Sequence, residues 1–280
     1  MSDLKVRRMP FDFEGVEFIW NPSNPAFSVM MNTISFLVIG LEKYFCQAMS
    51  DADALITDPA IQAEARLFKV QEAIHAQAHR RHVDALIVRY PGLQDAIDKT
   101  VAHFDAIYQE KDLKFHLAYA GGLEAMFTPT FKLFIDNRDV LFGGGDARVS
   151  SLFLWHFCEE IEHRSSAISV YNHVVGSALY KFRQISPCYK HSIECGKMIR
   201  EEFKKHVPDM PAEAFTTVPL KDVSKADKRR STLGIIASQM PWHDPAHERL
   251  PSYYQEWRDR YDAGEDMLLA YGVRPTALAA

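Results

Sequence analysis

The chain has 280 residues, a net charge of −5 and a pI near 6.2, with 47% hydrophobic and 25% charged residues. That balance belongs to a globular protein with one substantial core. The acidic charge, with no basic patch interleaved with aromatics, excludes a general nucleic-acid binder. Four cysteines, Cys46, Cys158, Cys188 and Cys195, show no CxxC spacing, and the N-terminal segment lacks the apolar stretch of a signal peptide. Reduced thiols and a cytoplasmic location are therefore expected.

Residues 1–24, rich in Pro and aromatics, read as an extended arm. Asn24-Pro25 is a capping residue followed by Pro at the first helical position, and it opens a helix, A, that runs to about Ser50. This helix is apolar nearly all round, which marks it as central. Its longest apolar run, 26–41, contains Ser28, Asn32, Thr33 and Ser35 and is short for a membrane span, so a buried core helix is the better reading. Asp58-Pro59 repeats the start signal for helix B, which Pro91-Gly92 stops. Residues 93–110 carry Leu93, Ile97, Val101, Phe104 and Ile107 at helical spacing and read as a crossover helix. Helix C is expected over about 112–136, a loop over 137–146, and helix D over about 147–181. Pro187 is expected to start a further helix ending near Val207. Beyond it the prolines crowd together, and 208–280 reads as a C-terminal extension with one or two short helices. There Trp242, Tyr253, Tyr254, Trp257 and Tyr261 are expected to pack over the rest. No segment has a period of two, so the class is all-α.

Charged residues in the apolar helices carry the functional signal. Glu42 closes the apolar run AFSVMMNTISFLVIGLE, and Glu124 is the only carboxylate between Asp112 and Asp136. Such lone acids are rarely buried without a partner. Glu72 and His75 form one E-x-x-H, and Glu160 and His163 form a second. Residues three apart share a helix face, so each motif aims a carboxylate and an imidazole at one point. Glu42 precedes Glu72 by 30 residues and Glu124 precedes Glu160 by 36, each gap fitting a helix, a turn and a return to the same depth. One Glu from each of two helices plus Glu-x-x-His from each of two others is the ligand set of a dinuclear metal site in a four-helix bundle. Glu42, Glu72, His75, Glu124, Glu160 and His163 are thus the expected catalytic metal ligands. Carboxylate and imidazole suit two iron ions, with manganese as the alternative. Four carboxylates and two divalent cations balance in charge, whereas a bare charge cluster in a core is costly.

Behind the ligands, His79 lies four past His75 and His156 four before Glu160. If B and D run antiparallel, both sit one turn from the metals toward the same end, where hydrogen-bonding partners or a proton donor belong. Glu159 and Glu162 flank Glu160, with an ion-paired or solvent-facing role expected. Either could hydrogen-bond a ligand, and Arg164 could balance the extra acid. Tyr44, Phe45, Phe68, Tyr119, Phe127 and Trp155 are expected near the site, giving the dry lining that suits O2 chemistry and an apolar substrate.

The segments QEAIHAQAH (71–79) and WHFCEEIEHR (155–164) resemble the hallmark motifs of a bacterial family labelled "predicted metal-dependent hydrolase". The resemblance runs from helix A to about residue 260 and implies a ferritin-like four-helix bundle over 25–207 with a bound metal pair. The ligand set is also similar to that of the wider di-iron carboxylate superfamily, including ribonucleotide reductase small subunits, soluble desaturases and multicomponent monooxygenases, in which it activates O2. This chain departs from many ribonucleotide reductase small subunits in having Glu42 where they have Asp.

Three functions follow as expectations. The first is a di-iron oxidase or oxygenase that uses O2 on an apolar small molecule. No flavin or ferredoxin-like motif is present, so its electrons would come from an external donor. The second is hydrolysis by a two-metal-activated water, which the family label favours and a bundle interior does not. The third is an iron-oxidising, iron-handling protein, for which the chain lacks an acidic route inward. The apolar helix A and the aromatic tail make a homodimer the expected assembly.

Overall fold

Asn24 accepts a hydrogen bond from the Phe27 N–H, and Asp58 accepts from Ala60 and Ile61. These caps open α1 (Pro25–Ala52) and α2 (Pro59–Arg89) in the computed structural model, which describes residues 4–274. A short loop turns the chain back, so α1 and α2 lie antiparallel: Cys46 Sγ meets Lys69 O at one level and Ser35 Oγ meets His79 at another. The crossover helix is α3 (Gln94–Glu110), and α4 (Leu113–Asp136) follows, capped by Asp112. A single turn, α5 (Arg138–Leu141), leads to α6 (Ala147–Glu162). Next come α7 (Ser166–Val174), α8 (Ala178–His206), α9 (Glu213–Thr216), α10 (Lys225–Ser238) and α11 (Ser252–Asp262). Among the described residues there is no β-strand, only an isolated bridge between Asp146 and Val273, so the protein is all-α.

Ring contacts fix the remaining register. Phe131 stacks on Phe157 at 4.3 Å while Glu124 meets His163, so α4 and α6 are antiparallel. His79 meets His156 while Glu72 meets His163, so α2 and α6 are antiparallel too. The four helices that carry the expected ligands therefore alternate in direction around one interior. Helix α1 is apolar and long enough to cross a membrane by composition, but 72% of its most apolar window is buried within the fold. Close approaches bring other helices to α4. A Cβ at Gly121 would lie 3.3 Å from the Ile168 backbone of α7, and one at Gly234 of α10 would lie 2.8 Å from Pro129.

Two helix expectations are corrected. Helix D is not continuous to Lys181: α6 ends at Glu162, and the chain breaks again around Gly176, which takes a left-handed φ of +65°. Pro187 does not start a helix but lies inside α8. The missing Pro N–H removes the bond to the Arg183 carbonyl, a loss tolerated where that side of the helix faces solvent.

The arm is part of the core. Met9, Phe11, Phe13, Val16, Phe18 and Trp20 are all buried, each contributing about 1.5–3 kcal/mol by leaving water. Trp20 packs on Phe27, Phe142 and Phe153. After residue 208 the chain returns over the same helices. Ser231 donates to Pro129 O and Gln239 to Gly122 O, while Tyr253, Tyr254 and Trp257 are buried. Trp242 instead is 80% exposed, against the expectation that it packs.

Candidate metal centre

All six expected ligands are buried and converge between α1, α2, α4 and α6. Two sets of donor atoms lie within 4.8 Å of one another. One is Glu42, His75, His156 and Glu160; the other is Glu72, His75, Glu160 and His163. Glu160 and His75 belong to both, and a shared carboxylate is what two adjacent metal positions need. Glu124 stands at the edge of the second set, with its carboxylate 3.2 Å from His163 Nδ1. His156, placed behind the ligands on sequence grounds, is close enough to join the first set. Its Nε2 lies 2.9 Å from Glu160 and 3.2 Å from Glu42.

The residues fit a metal pair. Each of the six contributes a buried polar atom with no hydrogen-bond partner: Glu42 Oε2, both Glu72 oxygens, His75 Nδ1, Glu124 Oε1, Glu160 Oε2 and His163 Nε2. An unsatisfied buried acceptor costs about 1–3 kcal/mol, so this concentration of them marks a place built for cations. Without cations the carboxylates interfere with one another. Burial, then repulsion from Glu160 and its neighbours, raises Glu42 and Glu72 well above the usual carboxylate range and pushes Glu124 up to about 7. Burial would raise Glu160 as well, but the facing His163, His156 and His75 hold it below that range. Burial would lower His163, but Glu160 and Glu124 carry it up to about 9.

Local structure explains these positions. His163 is the C-cap of α6, where the helix dipole favours positive charge, and Phe68 meets its ring edge-on at 4.9 Å. His75 is held from behind. Its Nε2 hydrogen-bonds Glu159 at 2.9 Å, which leaves Nδ1 facing Glu160, and Trp155 meets the ring at 5.0 Å. Glu159 therefore backs a ligand. The counter-charge is not Arg164, which is occupied with the carbonyls of Ile161, Pro245 and Ala246. It is Arg7 of the arm, buried and paired with Glu159 at 3.0 Å and with Glu162 through both terminal nitrogens. Burial lowers the Arg7 pKa, but the two glutamates outweigh it and the net shift is upward. Glu162 is thus an ion-paired group with a buried side chain and not a solvent-facing one.

A hydrogen-bonded chain of buried groups leaves the site at Glu160. It runs to His156 Nε2 (2.9 Å), from His156 Nδ1 to His79 Nε2 (2.8 Å), from His79 Nδ1 to Ser35 Oγ (2.9 Å), and on to His82 Nδ1 (3.0 Å). With Glu160 ionised, one tautomer set satisfies every link: each group donates toward Glu160 and accepts from the next. Burial and the neighbouring histidines hold His79 well below the ordinary range, and burial brings His82 down to about 3, so both rings are neutral as this pattern requires.

At Glu42 and His156 the site meets a cavity of about 620 Å³, within the size of typical ligand pockets. Glu42 and His156 are the only carboxylate and imidazole among its described lining residues. The rest is hydrocarbon and aromatic, including Phe127 and Phe131, with Thr130, Tyr189 and Gln239 as the other polar members. Of the other aromatics expected near the site, Tyr44 hydrogen-bonds His116, Tyr119 hydrogen-bonds His191, and Phe45 is buried core. Sequence reasoning missed Arg7, Ser35, His82 and the cavity. The spacing of His75, His79 and His82 on one helix face could have pointed to the relay. Arg7, alone in an irregular arm, gave no such signal. A third acidic group, Asp95, Glu202 and His206, is more exposed and already neutralised by Lys99 and Lys205.

Fold and site together define an all-α protein with buried Glu/His clusters that could bind metal ions. Residues 5–214 match the family described as "predicted metal-dependent hydrolase", and the chain belongs to that family. Neither the curated proteins nor the solved structures returned a match.

Proposed function

We propose that this chain is a metal-dependent enzyme with a dinuclear centre, iron by preference, held by Glu42, Glu72, His75, Glu124, Glu160 and His163. The four helices around it form a ferritin-like bundle, and the enzyme oxidises an apolar small molecule with O2. The observation that carries this reading is the apolar cavity with Glu42 and His156 at its polar end. When bound, a ferrous pair would supply the coordination sites and electrons that O2 activation requires, with an external donor restoring them. The protein's own part is positioning and protection. Glu159 holds the tautomer and orientation of His75. The hydrocarbon walls bind the substrate and exclude water. The chain from His82 to Glu160 holds protons at His156 Nε2, within reach of the chemistry.

Hydrolysis is the second reading, and the family's description favours it. In that case the same carboxylates would hold a metal pair that activates water, and the cavity would take the apolar part of an ester or amide. One pair of assays separates the two. Oxidation predicts O2 consumption on adding ferrous iron and a reductant, lost in Glu72→Ala and Glu160→Ala. Hydrolysis predicts turnover of apolar nitrophenyl esters under argon with zinc or manganese. Ester turnover without O2 consumption would overturn the oxidative reading.

A further inference from the structure

The large apolar cavity opens at the surface. Two of its lining residues, Tyr189 of α8 and Ile236 of α10, are 51% and 54% exposed, so its mouth lies between these two helices. Apolar surface continues beyond the mouth. On α8, Leu179, Phe182, Tyr189 and Ile193 recur at intervals of three, seven and four residues, which puts them on one face, and all four are exposed. On α10, Leu233 is exposed one turn before Ile236. Trp242, also exposed, stands two residues past Met240, itself a lining residue. Single exposed apolar residues are ordinary on a protein surface, whereas a set gathered at the mouth of a pocket marks a contact site.

Cations flank this surface. Arg183, Lys190 and Lys197 are exposed along α8, and Lys225 and Arg229 along α10. Among the described residues only Lys190 of these five meets an acid, Glu194 at 3.8 Å. Exposed hydrocarbon with tyrosine and tryptophan, edged by Lys and Arg, is the make-up of a surface that lies in the boundary layer of an anionic bilayer. The aromatic rings sit at headgroup level, and each nearby cation adds attraction to anionic lipid. A second copy of the chain fits less well, because a two-fold contact would set the patch, cations included, against itself.

We infer that the face formed by α8, the C-terminal half of α10 and Trp242 docks on a lipid bilayer carrying anionic headgroups, with the cavity mouth turned to the acyl chains. The contact is peripheral: the exposed apolar side chains enter the headgroup boundary and no helix of this face spans the bilayer. An apolar substrate dissolved in the bilayer then reaches Glu42 and His156 without crossing water. That purpose rests on the proposed role of the cavity as the substrate site, whereas the docking itself does not. Docking also accounts for Trp242, which lies in solvent while Tyr253, Tyr254 and Trp257 of the same extension are buried.

Flotation of the full-length protein with unilamellar vesicles tests this, using phosphatidylcholine alone and phosphatidylcholine mixed with phosphatidylglycerol. The variants are Leu233→Ser with Trp242→Ser, Arg183→Gln with Arg229→Gln, and Val88→Ser, an exposed apolar position of α2 outside the patch. All five side chains are exposed and none lines the cavity, so the variants should fold, which thermal melting checks. The expected result is binding to the mixed vesicles at least about tenfold tighter than to phosphatidylcholine alone. It should fall at least about tenfold in each double variant and stay unchanged in Val88→Ser. Trp242 is the exposed one of four tryptophans, so wild-type emission should also shift to the blue as mixed vesicles are added. No binding to mixed vesicles, equal binding to both kinds, or full-strength binding by either double variant overturns the docking and leaves the cavity in place as a substrate site. A dimer in light scattering that Leu233→Ser with Trp242→Ser makes monomeric, without vesicle binding, also overturns it and assigns the face to a second copy.

Discussion

The two halves of the site carry the same motif and hold it differently. In the first half Glu42, Glu72 and His75 lie well inside two unbroken helices of 28 and 31 residues. His75 there is braced in layers: Glu159 grips its outer nitrogen, Arg7 grips Glu159, and Trp257 and Tyr261 of the tail lie against the guanidinium at 5.5 and 5.3 Å. In the second half α4 carries Pro129 five residues past Glu124, and α6 ends one residue before His163. Both nitrogens of His163 face carboxylates of the site itself, Glu124 and Glu72, and among the described residues no carboxylate outside the site pairs with it. A ligand set that looks duplicated in sequence is therefore asymmetric in support. One side is fixed from outside by the arm and the tail. The other leaves its charges facing one another, where a bound metal pair would neutralise them.

Removing the centre of the brace should have the largest effect. Arg7→Met leaves Glu159 and Glu162 buried without their cation and should cost about 3–5 kcal/mol of stability in denaturant titrations. A loss below about 1 kcal/mol would mean that the two glutamates find other partners. The outer layer should matter nearly as much, since Trp257→Ala opens a cavity beside Arg7, at about 3–5 kcal/mol. Trp242→Ser, on the same tail but exposed, should stay within about 0.5 kcal/mol. Acting on the ligand itself, Glu159→Gln should weaken metal binding about 10–100-fold in chelator competition, because His75 loses its orienting carboxylate. Unchanged affinity would erase the distinction between the halves.

The smallest expected effect is on pH dependence, through the relay. His82 is held at about 3 in the fold against 6.5 for the free side chain, so between those values the unfolded chain binds the extra proton. Its contribution to stability is fully present above about pH 6.5 and is lost as pH falls toward 3. His82→Phe should therefore flatten the decline of melting temperature between about pH 7 and 5. An equally steep decline in the variant would place the acid sensitivity elsewhere.

The clustering of the proposed ligands was legible because metal chemistry would impose a spacing that a helix converts into a common face. The helix starts at Pro25 and Pro59 were legible because capping is local. What sequence did not show depends on contacts between distant segments. Arg7 meets Glu159 across 152 residues, and nothing within the arm distinguishes it from Arg8. The break after Glu162 followed no Gly or Pro, so helical spacing ran on through it. The cavity exists only because α1, α4, α6, α8, α10 and the residues just after α10 enclose a common space. The family description reaches to residue 214, whereas Gln239, Met240 and the Trp257 layer lie beyond it.

The most direct test of the account is the metal content of the purified protein beside Glu72→Ala and Glu160→Ala, which remove one ligand from each half. The account predicts about two metal ions per chain in the wild type, with the pair lost in both variants while the fold persists. A wild-type protein that takes up no metal, even after reconstitution with ferrous iron in the absence of O2, would contradict it.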